Sequence, residues 1–169
     1  ILDVAKKDQI PLRYVNLGGA FHPIPQPELY PLLGELCERA GDLSIFIEPG
    51  HVLCRNAGFL LCKVHAVGPF GGERYHITLD ASYDCHAKWS YPSWTGPESC
   101  EITKMPYQKI PEPEPGYKFL IFTGATCYER DQLGIFRVKE NGSALPVAPG
   151  DPVLLSNING YSFAWNTGF

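Results

Sequence analysis

Four short segments of this chain combine residue types that can do chemistry. Asn16-Leu17-Gly18-Gly19-Ala20-Phe21 sets two consecutive glycines behind an apolar run. Glycine lets backbone N–H groups come close to a phosphate, although a plain tight turn uses the same residues. Ile47-Glu48-Pro49-Gly50-His51 puts a carboxylate at the end of a second apolar run. At the end of a buried strand such a charge is costly unless paired, which points to a functional acid; a solvated turn glutamate is the simpler alternative. From Thr123 to Asp131, a glycine-containing loop carries the thiol of Cys127 beside Tyr128, Glu129, Arg130 and Asp131. That thiol is either a nucleophile or acid, or a structural cysteine that packs as a small hydrophobe. Finally, Asn157-Ile158-Asn159-Gly160-Tyr161-Ser162-Phe163 offers the Tyr161 hydroxyl to an anion, or Tyr161 as a hairpin aromatic.

The elements around these segments follow from periodicity. Leu12 to Leu17 reads as a strand that ends in the glycine turn. Pro27 to Ala40 carries Leu29, Leu32, Leu33, Leu36 and Cys37 at helical spacing, with Gly41 just past the end. Leu43 to Ile47 is a second apolar strand closed by Glu48-Pro49-Gly50. Strand, helix, strand is one βα unit of a parallel sheet or barrel. Beyond His51 the pattern changes. Ala57–Val67, Arg74–Leu79, Lys118–Phe122, Gly134–Val138 and Val153–Ile158 are strand-like, with no helical period between them. A second, antiparallel β domain is expected there. Ile110-Pro111-Glu112-Pro113-Glu114-Pro115-Gly116 reads as an extended loop, because alternating prolines remove ladder donors.

Composition narrows the class. With 44% hydrophobic and 19% charged residues the chain is of globular type, and 17 glycines with 16 prolines argue against a helical bundle. The net charge of −4 and the lack of any basic run disfavour a nucleic-acid partner. No apolar stretch reaches the roughly 18–20 residues of a membrane helix. Six cysteines without a CxxC pair favour a reducing, cytoplasmic setting. Ile1 to Lys7 reads as the end of an interrupted helix and Phe163 to Phe169 stops in apolar residues, so both ends are expected to be cut.

In order, the four segments resemble the signature of the ornithine, diaminopimelate and arginine decarboxylases of the alanine-racemase fold (fold type III). That family has a strand ending in Gly-Gly-Gly-Phe, a Glu-Pro-Gly-Arg strand end and a Gly-x-x-Cys segment followed by Asp. A Gly-Asp stretch leading to a Tyr completes it. Here they stand as Gly18-Gly19-Ala20-Phe21, Glu48-Pro49-Gly50-His51, Gly124-Ala125-Thr126-Cys127 with Asp131, and Gly150-Asp151 leading to Asn159-Gly160-Tyr161. The resemblance implies an α+β chain: residues 1–57 as the last βα unit of a TIM-type barrel that binds pyridoxal 5'-phosphate, and residues 58–169 as an antiparallel sandwich or barrel-like β domain. It implies cofactor contacts at Gly18, Gly19, Ala20, Gly50, His51 and Tyr161. It sets Glu48 on the pyridine nitrogen, Cys127 as the acid that protonates the α carbon in a partner subunit's site, and Tyr128 and Asp131 in the segment that reads the substrate's distal group.

Three positions depart from the family. Ala20 stands for the third glycine, His51 for the arginine, and Tyr128 where an Asp or Glu is usual. The lysine that carries the cofactor covalently has no counterpart here, since Lys6 and Lys7 end a helix and Lys63 lies mid-strand. The resemblance therefore implies an amino-acid decarboxylase inactive without a missing amino-terminal half, working as a homodimer with shared sites. The alternatives are a non-catalytic homologue with a regulatory role, and a metal-binding β protein using His51, Cys54, Cys85 and His86, whose spacing matches no compact zinc pattern.

Overall fold

The computed structural model describes residues 2–19, 26–96, 101–103, 109–140, 142 and 144–165. The chain forms two compact units, Ile1–Cys54 and Arg55–Phe169. In the first unit α1 (Leu2–Lys7) leads to β1 (Tyr14–Asn16), α2 (Gln26–Ala40), β2 (Ser44–Phe46) and α3 (Gly50–Cys54). β1 and β2 pair in parallel, with Val15 opposite Ile45. Leu29, Leu33 and Leu36 are half-buried and Ala40 is buried, whereas Leu32 and Cys37 on the expected stripe are exposed. A narrow apolar stripe is enough where a helix packs on short strands. Gly41, at φ +63, ends α2 with its N–H on the Cys37 carbonyl at 3.2 Å, a left-handed cap that glycine adopts without strain. Asp3 and Arg39 join α1 to the end of α2 at 2.9 Å.

The second unit is a seven-stranded sheet. Its strands are β3 (Gly58–Pro69), β4 (Arg74–Leu79), β5 (Ser93–Trp94), β6 (Glu101–Thr103), β7 (Tyr117–Thr123), β8 (Gln132–Lys139) and β9 (Pro152–Ile158), in the spatial order β5-β9-β3-β4-β7-β8-β6. A π-helical turn, Tyr83–Ala87, follows β4, and a short helix, α4 (Gly160–Trp165), follows β9. The sheet is mixed, which corrects the antiparallel expectation: β4 and β7 run parallel, with Ile77 opposite Phe122. The long excursion from Asp80 to Gly116 makes this possible, because a parallel pair needs a crossover of a dozen or more residues.

Burial follows the pleat. On β3, Cys62 and Val64 point inward while Phe59 and Leu61 remain exposed. β7 is buried on both faces, so Lys-Phe-Leu-Ile-Phe is a continuous run rather than an alternation. One of its faces puts Leu120 and Phe122 into the main core. There Phe122 meets Trp94 at 5.2 Å and Phe136 at 4.8 Å between ring centroids. The other face packs Phe119 and Ile121 with Ile135 and the edge of Ile110. Lys118, on the same strand, is only 2% exposed. Its ammonium donates to the carbonyls of Gly142 at 2.7 Å and Ala144 at 3.3 Å, so its polar end is satisfied inside. The proline-rich loop before β7 is held by Arg137, whose guanidinium meets both oxygens of Glu114 at 3.1 and 2.9 Å and lies 4.4 Å from the Tyr117 ring centroid.

Candidate functional site

In the first unit, two parallel strands that end at the same level bring their carboxyl-end turns together. Leu17 N–H donates to the Phe46 carbonyl at 2.9 Å and Glu48 N–H to the Gly18 carbonyl at 2.7 Å. Asn16 serves both turns. Its Oδ1 accepts from Gly18 N–H at 2.8 Å, and its Nδ2 donates to Glu48 Oε1 at 2.7 Å. Gly18 takes φ +68 with open space where a side chain would begin. At Gly19 a Cβ would stand 2.6 Å from the Glu48 carbonyl oxygen, so this backbone approach admits no side chain without movement. Gly50 N–H turns back to the Glu48 carbonyl at 2.7 Å, and His51 follows, half-buried, in α3. Glu48 is exposed, and β2 is not the buried strand its composition suggests: Phe46 is 54% and Ile47 44% accessible. Ala20 lies outside the described residues.

In the second unit, Cys127 and Tyr128 are exposed on the loop joining β7 to β8. Asp131, expected to face substrate, is 3% exposed and turns inward. Its Oδ1 accepts from Tyr83 N–H at 2.6 Å, and its Oδ2 from the Thr126 hydroxyl at 2.5 Å and Thr126 N–H at 3.3 Å. Gly124 is buried against this carboxylate, where a Cβ would collide with it. Tyr161 stands in the first turn of α4, half exposed, and not in a hairpin. Asn159 caps that helix by accepting from Tyr161 N–H at 2.9 Å, since Asn before Gly suits a helix cap as readily as a tight turn. Trp89 lies beside α4, its ring centroid 6.3 Å from that of Tyr161 and 5.1 Å from that of Trp165. The Lys88 ammonium sits 5.7 Å from the Trp89 ring and 5.8 Å from that of Trp165.

The cysteines differ in chemistry. Cys62 is buried, and burial with the nearby Asp80 charge pushes its thiol up to about 12, which keeps it protonated and inert. Cys54 donates to the Gly50 carbonyl at 3.0 Å, and His86 Nδ1 accepts from Ser82 N–H at 3.0 Å. Among the described residues no three His, Cys, Asp or Glu side chains converge as metal ligands, and no helix is long and apolar enough to cross a membrane.

Sequence reasoning brought out both glycine turns, Glu48, Cys127 and Tyr161. It passed over Asn16 as the link between the turns, and it missed Ser90 and the buried bonding of Asn159 and Ser162 with it. An Asn two residues before Gly18-Gly19 and another directly before Gly160-Tyr161 were the available signal.

No family model matches the chain. It is similar to the diaminopimelate decarboxylase of Vibrio cholerae, with 30% identity over 102 residues, 56% of this chain and 24% of the relative. Among solved structures it is similar to the arginine decarboxylase of Paramecium bursaria Chlorella virus (TM-score 0.63, 16% identity, 99% of this chain and 45% of that one). It is also similar to the carboxynorspermidine decarboxylase of Campylobacter jejuni (TM-score 0.59, 19% identity, 99% of this chain and 48% of that one). The chain thus spans about a quarter of the curated relative and under half of these solved chains. With the four segments in family order, the chain fits a carboxyl-terminal portion of a fold type III decarboxylase.

Proposed function

We propose that this chain is part of a pyridoxal-phosphate-dependent decarboxylase of an amino acid such as ornithine, lysine or diaminopimelate, with the first unit as the end of its cofactor-binding barrel. The observation that carries the reading is the joining of the Gly18-Gly19 turn to the Glu48-Pro49-Gly50 turn through Asn16. This donor set suits the cofactor. Open space in front of Gly18 admits a phosphate, and Asn16 holds one Glu48 oxygen, leaving the second for a protonated ring nitrogen. Gly18, Gly19, Ala20, Gly50, His51 and Tyr161 are the proposed phosphate surroundings. When bound, the cofactor supplies the electron sink that makes carbon dioxide loss feasible.

The remaining steps belong to side chains. Glu48 keeps the ring nitrogen protonated, Cys127 delivers a proton to the α carbon, and Tyr128 faces the distal end of the substrate. Cys127 acts in the site of a second subunit, so a homodimer with shared sites is part of the proposal. No lysine here stands in the context needed to carry the cofactor covalently, and the 169 residues alone are expected to be inactive. The test is Glu48→Ala in the complete enzyme. Decarboxylation should fall by orders of magnitude while circular dichroism is unchanged, and near-normal turnover would remove Glu48 from the mechanism.

A further inference from the structure

The π-helical turn Tyr83–Ala87 touches both of the second unit's proposed functional segments. At its entrance, Tyr83 N–H donates to Asp131 Oδ1 at 2.6 Å and the Ala81 carbonyl accepts from Ala125 N–H at 3.2 Å. The Cys127 loop also closes on Asp131 from within. Gly124 N–H reaches the Asp131 carbonyl at 2.8 Å, Asp131 N–H reaches that of Tyr128 at 3.0 Å, and Thr126 meets the carboxylate. Asp131 accepts on both oxygens inside its own domain, an arrangement that holds a loop in one shape and leaves little carboxylate for a substrate.

At the exit, a directed chain of hydrogen bonds runs to α4. Asn159 N–H donates to Ser90 Oγ at 2.8 Å, Ser90 Oγ lies 3.0 Å from Ser162 Oγ, and Ser162 donates to the Lys88 carbonyl at 2.5 Å. Because the single Ser162 proton goes to Lys88, Ser90 must be the donor between the two hydroxyls. All three side chains are 0–2% exposed, so a break here leaves a buried polar group unsatisfied. The carbonyl before Trp89 and its own carbonyl both accept from this segment, and Trp89 holds φ +62, a backbone state that bulky residues rarely adopt. Such a state persists where its surroundings over-determine it, and π-helical turns recur at functional sites.

We propose that this turn is a brace that fixes the Cys127 loop and the Tyr161 helix as one piece, with Asp131 and Ser90 as positioning residues. The inference rests on the roles given above to Cys127 and Tyr161. It turns Asp131 from a substrate reader into the holder of the acid.

The experiment uses the complete enzyme and counts how turnovers end. Delivery of the proton to the α carbon gives the product amine. Delivery to the cofactor carbon, followed by hydrolysis with one water, gives an aldehyde and leaves the cofactor in its amine form. Cys127→Ala sets the scale and tests the underlying reading alone. Thr126→Val and Asp131→Asn should each raise the aldehyde fraction about tenfold, the weight of one hydrogen bond to a charged group, with KM for substrate unchanged. Ser90→Ala breaks bonds to Asn159 and Ser162 at the other end of the turn and should raise that fraction too, and should also weaken cofactor binding. If Cys127→Ala shifts the fraction while the other three do not, the brace is wrong and the role of Cys127 stands. A raised KM with an unchanged fraction in Asp131→Asn returns Asp131 to substrate reading. If Cys127→Ala itself changes nothing, the underlying reading fails.

Discussion

Gly19→Ala places a methyl group 2.6 Å from the Glu48 carbonyl oxygen, where ordinary contact begins at 3.4 Å. The two turns must separate by about 0.8 Å, since packed backbone does not yield at lower cost. A movement of that size strains the 2.7 Å bond from Glu48 N–H to the Gly18 carbonyl and drags Glu48 away from Asn16. Overpacking of this kind costs about 1–3 kcal/mol. If it falls on the assembled site, cofactor affinity drops by roughly 5- to 150-fold, at about 1.4 kcal/mol per factor of ten. Titration of the complete apoenzyme with pyridoxal phosphate, followed by absorbance, measures it. Gly18→Asn is the control for fold: φ +68 is a conformation Asn tolerates and nothing lies within 4 Å, so its denaturation midpoint should hold. Gly19→Ala protein that binds the cofactor within twofold of its parent would refute the idea that this close approach matters.

Two further outcomes are expected. A mixture of Cys127→Ala with Glu48→Ala enzyme, each nearly inactive in forming the product amine as a homodimer, should recover part of that activity once subunits exchange, because one mixed site again has both groups; no recovery with exchange demonstrated would make Cys127 a packing residue. Burial lowers the pKa of His76, stacked on Phe70 at 4.6 Å, from its usual 6.5, so the unfolded chain takes up a proton that the folded one resists. Stability should therefore hold above pH 6.5 and decline as pH falls below it; urea midpoints at pH 7.5 and 5.5 check this, and an equal pH response in His76→Gln would refute it.

What the sequence could and could not reveal follows from the range of each interaction. The β1-α2-β2 order and the Gly41 cap were legible because periodicity and a left-handed glycine are local properties. The inward bonding of Asp131 was illegible for the opposite reason: among its binding partners is the backbone of Tyr83, 48 residues away, and nothing near Asp131 announces it. Lys118 sits in a run that reads as a buried strand, but only the carbonyls of Gly142 and Ala144 explain how its ammonium is satisfied there. The parallel pairing of β4 and β7 likewise depends on how a long connection folds back. No pattern in Tyr83–Ala87 foretells a π-helical turn, whose first residue bonds Asp131 and whose cap, Lys88, accepts from Ser162.

The placement of the three tryptophans has an optical consequence. Trp94 is 8% exposed between Phe122 and Phe136 and should emit at short wavelength, whereas Trp89 and Trp165 face solvent at 40% and 52% and should emit further to the red. The latter pair, 5.1 Å apart at 77°, is close enough for their transitions to couple and leave a signed doublet in the ultraviolet dichroism. Because one indole lies two residues past the π-helical turn and the other in α4, that doublet reports the distance between them without any added label.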